Sequence, residues 1–277
     1  VELTGFFVSP VRRFPSDRAS LDSNDRSFDR EDFSAKVWGL HGSFQAPSSD
    51  WRYEGYIFGI NEKDDADLGT ANRDLNTLGG RVVKKKALSR FDLDIESALQ
   101  WGTSRASRSA SDTTDLDHLA YFFHAEFGYT FDVGFKLRAA LQYDEASGDD
   151  NPTDGNNDRF STLFGVRRED FGHTGIFTSF TRENLRAAAI RFDVDPNKAW
   201  HIRFRYQPLW LYSGRDTTPR PGVVDTSGAS GRFIGHQFEG RVRWRAGEIF
   251  AGVPLTLETG FVYLESGSFL RSAPNGP

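Results

Sequence analysis

Apolar and polar residues alternate with a period of two along much of this chain, and that pattern predicts β-strands. The clearest segment is 88–101, in which one face is apolar and the opposite face is charged. The other clear segments are 119–131, 133–144, 200–212, 234–245 and 255–263, and weaker ones are 1–9, 31–44, 51–60 and 184–194. The sequence therefore predicts an all-β, antiparallel fold of about ten strands in a single domain over 1–277.

Composition removes several classes of protein. The chain has no cysteine, which excludes a disulfide framework and thiolate metal sites. No apolar run reaches the roughly eighteen residues that a transmembrane helix needs. Aromatic residues make up 14% of the chain although its mean hydropathy is polar, at −0.53. Both properties are typical of a barrel whose strands face lipid on one side and water on the other.

The apolar faces end in aromatic residues, and this feature favours a membrane barrel over a soluble sandwich. Trp and Tyr rings are amphipathic, and they collect where a membrane meets water. The residues at these strand ends are Trp101, Tyr129, Phe131, Tyr143, Trp200, Trp210, Tyr212, Trp244 and Tyr263. Segments of about ten residues also match the length of a tilted strand that crosses a bilayer.

The opposite faces carry charges that must contact water or countercharges. The basic positions are Arg90, Lys136, Arg138, Arg203, Arg205, Arg241, Arg243 and Arg245, and the acidic ones are Asp92, Asp94, Glu96, Glu126, Glu239 and Glu258. A water-filled lumen with this basic excess would favour an anionic permeant. Alternatively, the charges pair across neighbouring strands and make the barrel rigid. The sequence leaves both interpretations open.

An acidic connector offers a candidate cation site. Asp149, Asp150, Asp154 and Asp158 lie within ten residues, together with several Asn side chains. Calcium prefers such clusters of oxygen ligands, although the spacing is not that of the helix-flanked calcium loop. A solvated acidic loop without a metal explains the same residues.

Enzymatic and nucleic-acid functions have little support in the sequence. It contains no HExxH motif, no Gly-x-Ser-x-Gly elbow and no Gly-rich phosphate loop. Asp117–His118 and Asp170 with His173 resemble the Asp–His pairs of outer-membrane rim proteases, but so many Asp residues produce such pairs by chance. The net charge is −5, and 84–86 is the one basic run, which argues against nucleic-acid binding.

Several short motifs resemble the alginate export family of outer-membrane porins. They are 143–149 (Tyr-Asp-Glu-Ala-Ser-Gly-Asp), 160–164 (Phe-Ser-Thr-Leu-Phe), 183–185 (Glu-Asn-Leu), 231–239 (Gly-Arg-Phe-Ile-Gly-His-Gln-Phe-Glu) and 258–269. The similarity covers roughly 88–270 and matches the C-terminal portion of the family. It implies a transmembrane barrel of about eighteen strands. Because the chain lacks a signal peptide and a terminal aromatic strand, we expect it to be incomplete at both ends.

The resemblance also implies a function and a location. The expected function is passive passage of an anionic polysaccharide or uronate-type solute through the bacterial outer membrane. A general or small-solute porin, and a structural barrel with a partner protein in its lumen, are the alternatives. The expected partners on the outer surface of the barrel are membrane lipid and lipopolysaccharide. In its lumen they are anionic oligo- or polysaccharide or small anions. A periplasmic protein or a protein in the lumen is a further expected partner.

Overall fold

The computed structural model describes residues 1–12, 14–15, 18–31, 33–64, 69–85, 90–109, 111–163, 180–219, 222–248 and 252–276. The strands are β1 (Glu2–Val8), β2 (Val11–Arg12), β3 (Arg30–Glu31), β4 (Ala35–Gln45), β5 (Trp51–Glu62), β6 (Asp74–Lys84), β7 (Phe91–Ser104), β8 (Leu116–Asp132), β9 (Lys136–Ala146), β10 (Leu185–Asn197), β11 (Trp200–Leu211), β12 (Phe233–Glu248) and β13 (Pro254–Ser266). The helices are α1 (Arg18–Asp22) and α2 (Ser268–Ser272). Among these described segments, no helix is long and apolar enough to cross a membrane.

Eleven strands form one antiparallel sheet, in the order β1–β4–β5–β6–β7–β8–β9–β10–β11–β12–β13. From β4 to β13, strands that are consecutive in the sequence pair with each other, as in a barrel wall built from hairpins, and β4 also pairs with β1. The short strands β2 and β3 pair separately. Within the described part of the chain the sheet is open, with β1 and β13 at its edges. The prediction of an all-β antiparallel fold is confirmed.

Strand β6 was missing from the prediction, which placed no strand between 51–60 and 88–101. Its pairing with β5 and β7 is continuous from Asp74 to Lys84. With β6 included, short connections follow β4, β6, β8, β10 and β12, and longer ones follow β5, β7, β9 and β11. We call the two ends of the sheet the short-turn end and the long-connection end. The alternation is the one that outer-membrane barrels show.

The two faces of the sheet have reversed exposure compared with a soluble protein. Leu119 and Leu141 on the apolar face are both 60% exposed, whereas Gln100 and Glu239 on the polar face are 0% exposed. Exposed apolar side chains are stable when the surrounding solvent is lipid. We call the apolar face the outer face and the polar face the inner face, as in the wall of a transmembrane barrel.

Aromatic side chains lie near both ends of the outer face. At the short-turn end Trp200 stacks on Trp244, with ring centroids 5.5 Å apart and an interplanar angle of 12°. Phe91 and Tyr129 make a tilted contact at the same end, with centroids 4.8 Å apart and an angle of 54°. Trp101, which is 36% exposed, lies toward the long-connection end of β7. Amphipathic rings at these positions match the two belts that border a bilayer.

Part of the connection after β9 lies against the inner face near the long-connection end. We call 156–163 the strap. Phe160 packs on Phe122, and Leu163 packs against a cluster that contains Ile60. The buried Gln100 side chain accepts a hydrogen bond from the Ser161 amide at 2.9 Å and donates one to the Ser161 carbonyl at 3.2 Å. The strap therefore narrows the space beside the inner face of the sheet.

Candidate functional site

The charged inner face is the candidate functional site. Arg138, the third residue of β9, lies on it toward the short-turn end. Its guanidinium donates to Asp92 at 2.8 Å and Glu126 at 2.7 Å, on β7 and β8. On the other side, Asp193 of β10 lies opposite Arg138 in register and accepts a hydrogen bond from it at 3.3 Å. One arginine thus connects four strands of the wall.

Asp193 is the acidic counterpart of Arg138. Besides Arg138, it accepts hydrogen bonds from Arg191, at 3.0 Å, and from Arg203. Arg191 also donates two hydrogen bonds of 2.7 Å to Glu126. Three arginines and three carboxylates therefore form one network that is electrically balanced. For these residues the structure favours pairing across strands over a free basic surface.

The pair formed by Arg205 and Glu239 is deeply buried. Their side chains are 2% and 0% exposed, and the guanidinium donates to the carboxylate at 2.9 and 3.0 Å. Gln237 donates a further hydrogen bond to Glu239 at 2.6 Å. Arg205 and Glu239 thus stabilise the wall rather than present charge to a permeant.

The acidic residues of β7 have partners on strands that were predicted weakly or not at all. Asp94 pairs with Arg81 on β6, and Glu96 accepts a hydrogen bond of 2.7 Å from the hydroxyl of Tyr56 on β5. Arg81 was not identified from the sequence because β6 was not predicted, and Tyr56 lies on β5, which was predicted only weakly. Arg191 and Asp193 were also missed, although their alternation with apolar residues in 184–194 was a usable signal.

The short-turn end of the inner face carries a basic cavity of about 800 Å³. The charged residues that line it are Lys136, Asp195, Lys198, His201, Arg203, Arg241, Arg243 and Arg245. Asp195 is the one carboxylate among these described lining residues, and it binds His201 at 2.7 Å. Arg243 pairs with Glu258 at 2.7 Å, whereas Lys136 has no carboxylate within 4.0 Å in the described chain. This cavity is where positive charge exceeds negative charge.

The predicted basic residues therefore divide into three groups. Arg138, Arg203 and Arg205 belong to ion pairs on the inner face, although Arg203 also lines the basic cavity. Lys136, Arg241, Arg243 and Arg245 line the basic cavity at the short-turn end. Arg90 precedes β7 and pairs with Asp132 at 2.6 Å, where both side chains are largely exposed.

The acidic connector at 149–158 was the predicted cation site. Among the described residues, no three His, Asp or Glu side chains are placed to hold an ion. Asp149 and Asp154 instead accept hydrogen bonds from backbone amides two residues ahead, and Asp150 lies 3.9 Å from Arg232. Burial and neighbouring carboxylates raise the pKa of Asp158. A calcium ion at this connector stays a prediction that the geometry does not support.

Of the two candidate protease pairs, Asp117–His118 lies within the described residues. His118 faces inward and its Nε2 lies 3.0 Å from Oε1 of Gln100, whereas Asp117 is exposed. Asp170 and His173 lie outside the described residues. The His118 ring thus contacts Gln100 on the neighbouring strand β7.

Comparison with known proteins supplies the family. No curated protein matches the chain closely enough to count as a relative. A family model described as "Alginate export" matches residues 2–275, a longer stretch than the sequence motifs covered. The open antiparallel sheet, with its lipid-type outer face and charged inner face, is consistent with that match. The chain therefore belongs to the alginate export family.

Proposed function

We propose that this chain forms part of the wall of a bacterial outer-membrane channel. An anionic polysaccharide of the uronate type passes through this channel passively. The basic cavity at the short-turn end is the observation that carries the proposal. Positive charge that is concentrated at one end of a lumen raises the local concentration of anions. The balanced ion network beyond the cavity limits how tightly a polyanion is held, so that the polymer enters without being trapped.

The proposed channel also needs strands that complete it. Strands β1 and β13 each pair with a single neighbour in the described chain, and exposed strand edges are not stable in a bilayer. We propose that further strands pair with these two edges and close a larger barrel. A mass of the intact polypeptide from its native membrane well above 31.2 kDa supports this closure. A mass equal to it contradicts the polysaccharide channel, because the barrel would be too narrow.

Ion selectivity tests the proposed role of the basic cavity. The full-length protein is reconstituted in planar bilayers under a salt gradient, and the reversal potential is measured. Replacing Arg241, Arg243 and Arg245 with Gln is expected to lower anion selectivity. The milder pair Lys136→Gln and Arg245→Gln avoids buried positions and is expected to shift the reversal potential in the same direction. An unchanged reversal potential in both variants contradicts the proposal.

A matched control and a competition experiment complete the test. Arg18, Arg26 and Arg108 are exposed residues outside the sheet, and replacing them with Gln removes the same charge without touching the cavity. This control is expected to keep the selectivity of the unmodified protein. Alginate oligosaccharides are expected to block the current at concentrations where small carboxylates do not. Equal block by both would indicate a general porin instead.

A further inference from the structure

A second cavity, of about 420 Å³, lies on the inner face between the wall and the strap. Five aromatic side chains line it: Phe6, Tyr56, Phe58, Phe122 and Phe160. It shares no lining residue with the basic cavity at the short-turn end. Its volume is within the range of small-molecule sites, and one sugar unit fits in it. An aromatic lining is unexpected on a face that is otherwise charged.

Glycines on the neighbouring strands determine how two of these rings lie. Tyr56 and Phe58 are nearly parallel, with centroids 4.8 Å apart and an angle of 14°. A Cβ atom at Gly79 would collide with the Tyr56 ring, and one at Gly39 would collide with the Phe58 ring. The Tyr56 and Phe58 rings therefore pack directly on the backbone of these two glycines.

Part of this aromatic group is open to the lumen. Phe122 and Phe160 are 4% and 7% exposed and belong to the packed cluster under the strap. By contrast, Phe6 is 40% exposed, and its ring centroid lies 5.9 Å from that of Phe58. Phe6, which is exposed, and Tyr56 and Phe58, which are half-buried, form a surface on the inner face that we call the aromatic platform.

Charged groups surround the platform. The Tyr56 hydroxyl donates to Glu96, which fixes the ring, and Glu54 pairs with Arg52 at 2.7 Å. Arg81 also lines the cavity and pairs with Asp94. An apolar centre with a rim of hydrogen-bonding groups matches a pyranose ring, which has an apolar C–H face and polar hydroxyl edges. Aromatic faces carry partial negative charge and attract such C–H groups.

We propose that the aromatic platform binds the C–H face of a pyranose unit of the saccharide in transit. This inference rests on the proposed function, because a saccharide must enter the lumen to reach the platform. The platform adds a contact that salt does not screen, in a different part of the lumen from the basic cavity. Successive weak contacts of two kinds guide a polymer without holding it.

Residence times of a blocking saccharide test the platform. The full-length protein is placed in planar bilayers, and an alginate tetrasaccharide is added as the probe. Phe58→Leu is expected to shorten each blocking event by about threefold to tenfold, because it removes an aromatic face and retains an apolar side chain. Phe6→Leu, at a more exposed position, is expected to act in the same direction. Tyr56→Phe retains the ring and is expected to retain the block.

The outer face of the same strand provides the control. Tyr53 is 48% exposed on the outer face of β5, so Tyr53→Leu removes a ring of similar size from the lipid side. It is expected to leave the residence time unchanged. Equal loss in Tyr53→Leu and Phe58→Leu would show a general packing effect and overturn the platform. Unchanged residence in both Phe58→Leu and Phe6→Leu would also overturn it.

Salt dependence separates stacking from charge. The ratio of residence times between the unmodified protein and Phe58→Leu is expected to be the same at about 0.1 M and about 1 M salt. If the two residence times become equal at high salt, the stacking contact is overturned. If the unmodified channel is neither anion-selective nor blocked by the probe, the proposed function itself fails. If it is blocked and the ring variants behave like it, only the platform fails.

Discussion

Arg205 of β11 and Glu239 of β12 lie opposite each other in register and form an ion pair with almost no exposure to solvent. Their neighbours Gln207 and Gln237 are also opposite each other and are 0% and 2% exposed. A charge in this position is costly unless its partner is present. The pair is therefore expected to fix the register of β11 against β12.

Removing one member of this pair is expected to destabilise the protein strongly. Glu239→Leu leaves a buried guanidinium without its carboxylate, and the expected loss in free energy of unfolding is about 3–5 kcal/mol. The double variant Arg205→Met with Glu239→Leu is expected to recover most of it. Urea denaturation in detergent micelles measures both values. Arg243→Met, which breaks the half-exposed pair with Glu258, is expected to cost less than about 1 kcal/mol. Equal losses at the two pairs would contradict this account.

The strap is expected to control the size of the conducting path. Gln100→Leu removes both hydrogen bonds to Ser161, together with the contacts of Gln100 with Thr77 and His118 on the wall. Because each such bond contributes about 0.5–1.5 kcal/mol, the strap is expected to detach more often. Single-channel conductance should then rise. Gln45→Leu removes an exposed hydrogen bond to Ser49 at the short-turn end and is the matched control. No rise in conductance would show that the strap does not narrow the path.

The aromatic side chains of the outer face are expected to lie at the depth of the lipid headgroups. In a variant that retains Trp200 as its one tryptophan, fluorescence should be quenched best by lipids labelled near the carbonyl groups. Phe204 is 41% exposed on the outer face of the same strand, farther from its end. A single-tryptophan variant with Phe204→Trp should be quenched best by labels deep in the acyl chains. The same depth profile for both would contradict the assignment of the belt.

The acidic connector is expected to become more stable as the pH falls. Burial raises the pKa of Asp149 and of Asp158, and the carboxylates nearby raise both further. The folded protein therefore binds these protons more tightly than the unfolded chain, and stability decreases as the pH rises above the ordinary Asp pKa of about 3.9. Asp158→Asn should raise the unfolding temperature at neutral pH. This advantage should shrink as the pH falls.

Asp112 provides a control of opposite sign for the pH experiment. Hydrogen bonds from the hydroxyl and amide of Ser107 lower the pKa of Asp112. Its contribution is therefore present at neutral pH and is lost as the pH falls through the lowered pKa. Asp112→Asn should lower the unfolding temperature at neutral pH, and its effect should disappear in acid. If both variants shift in the same direction, the assigned pKa directions are wrong.

The missing strand shows where a period of two fails as a predictor. In β6 the pair Gly79–Gly80 looks like a turn in the sequence. In the structure Gly79 is required because the Tyr56 ring of β5 lies over it. Leu75 is apolar on the inner face because β6 is covered there by the strap. Both properties come from contacts with segments that are distant in the sequence.

The sequence by itself determined ten of the eleven strands in the described sheet, the identity of their two faces and many of the charges on the inner face. These properties are local, because side chains in a strand alternate between faces whatever the strand's neighbours are. Only the tertiary structure decided which charges pair and which line a cavity. Asp193 meets Arg138, and Tyr56 reaches Glu96, through the register of strands that lie far apart in the chain. Register depends on how the buried faces and the turns of paired strands fit together, so no single segment of sequence encodes it.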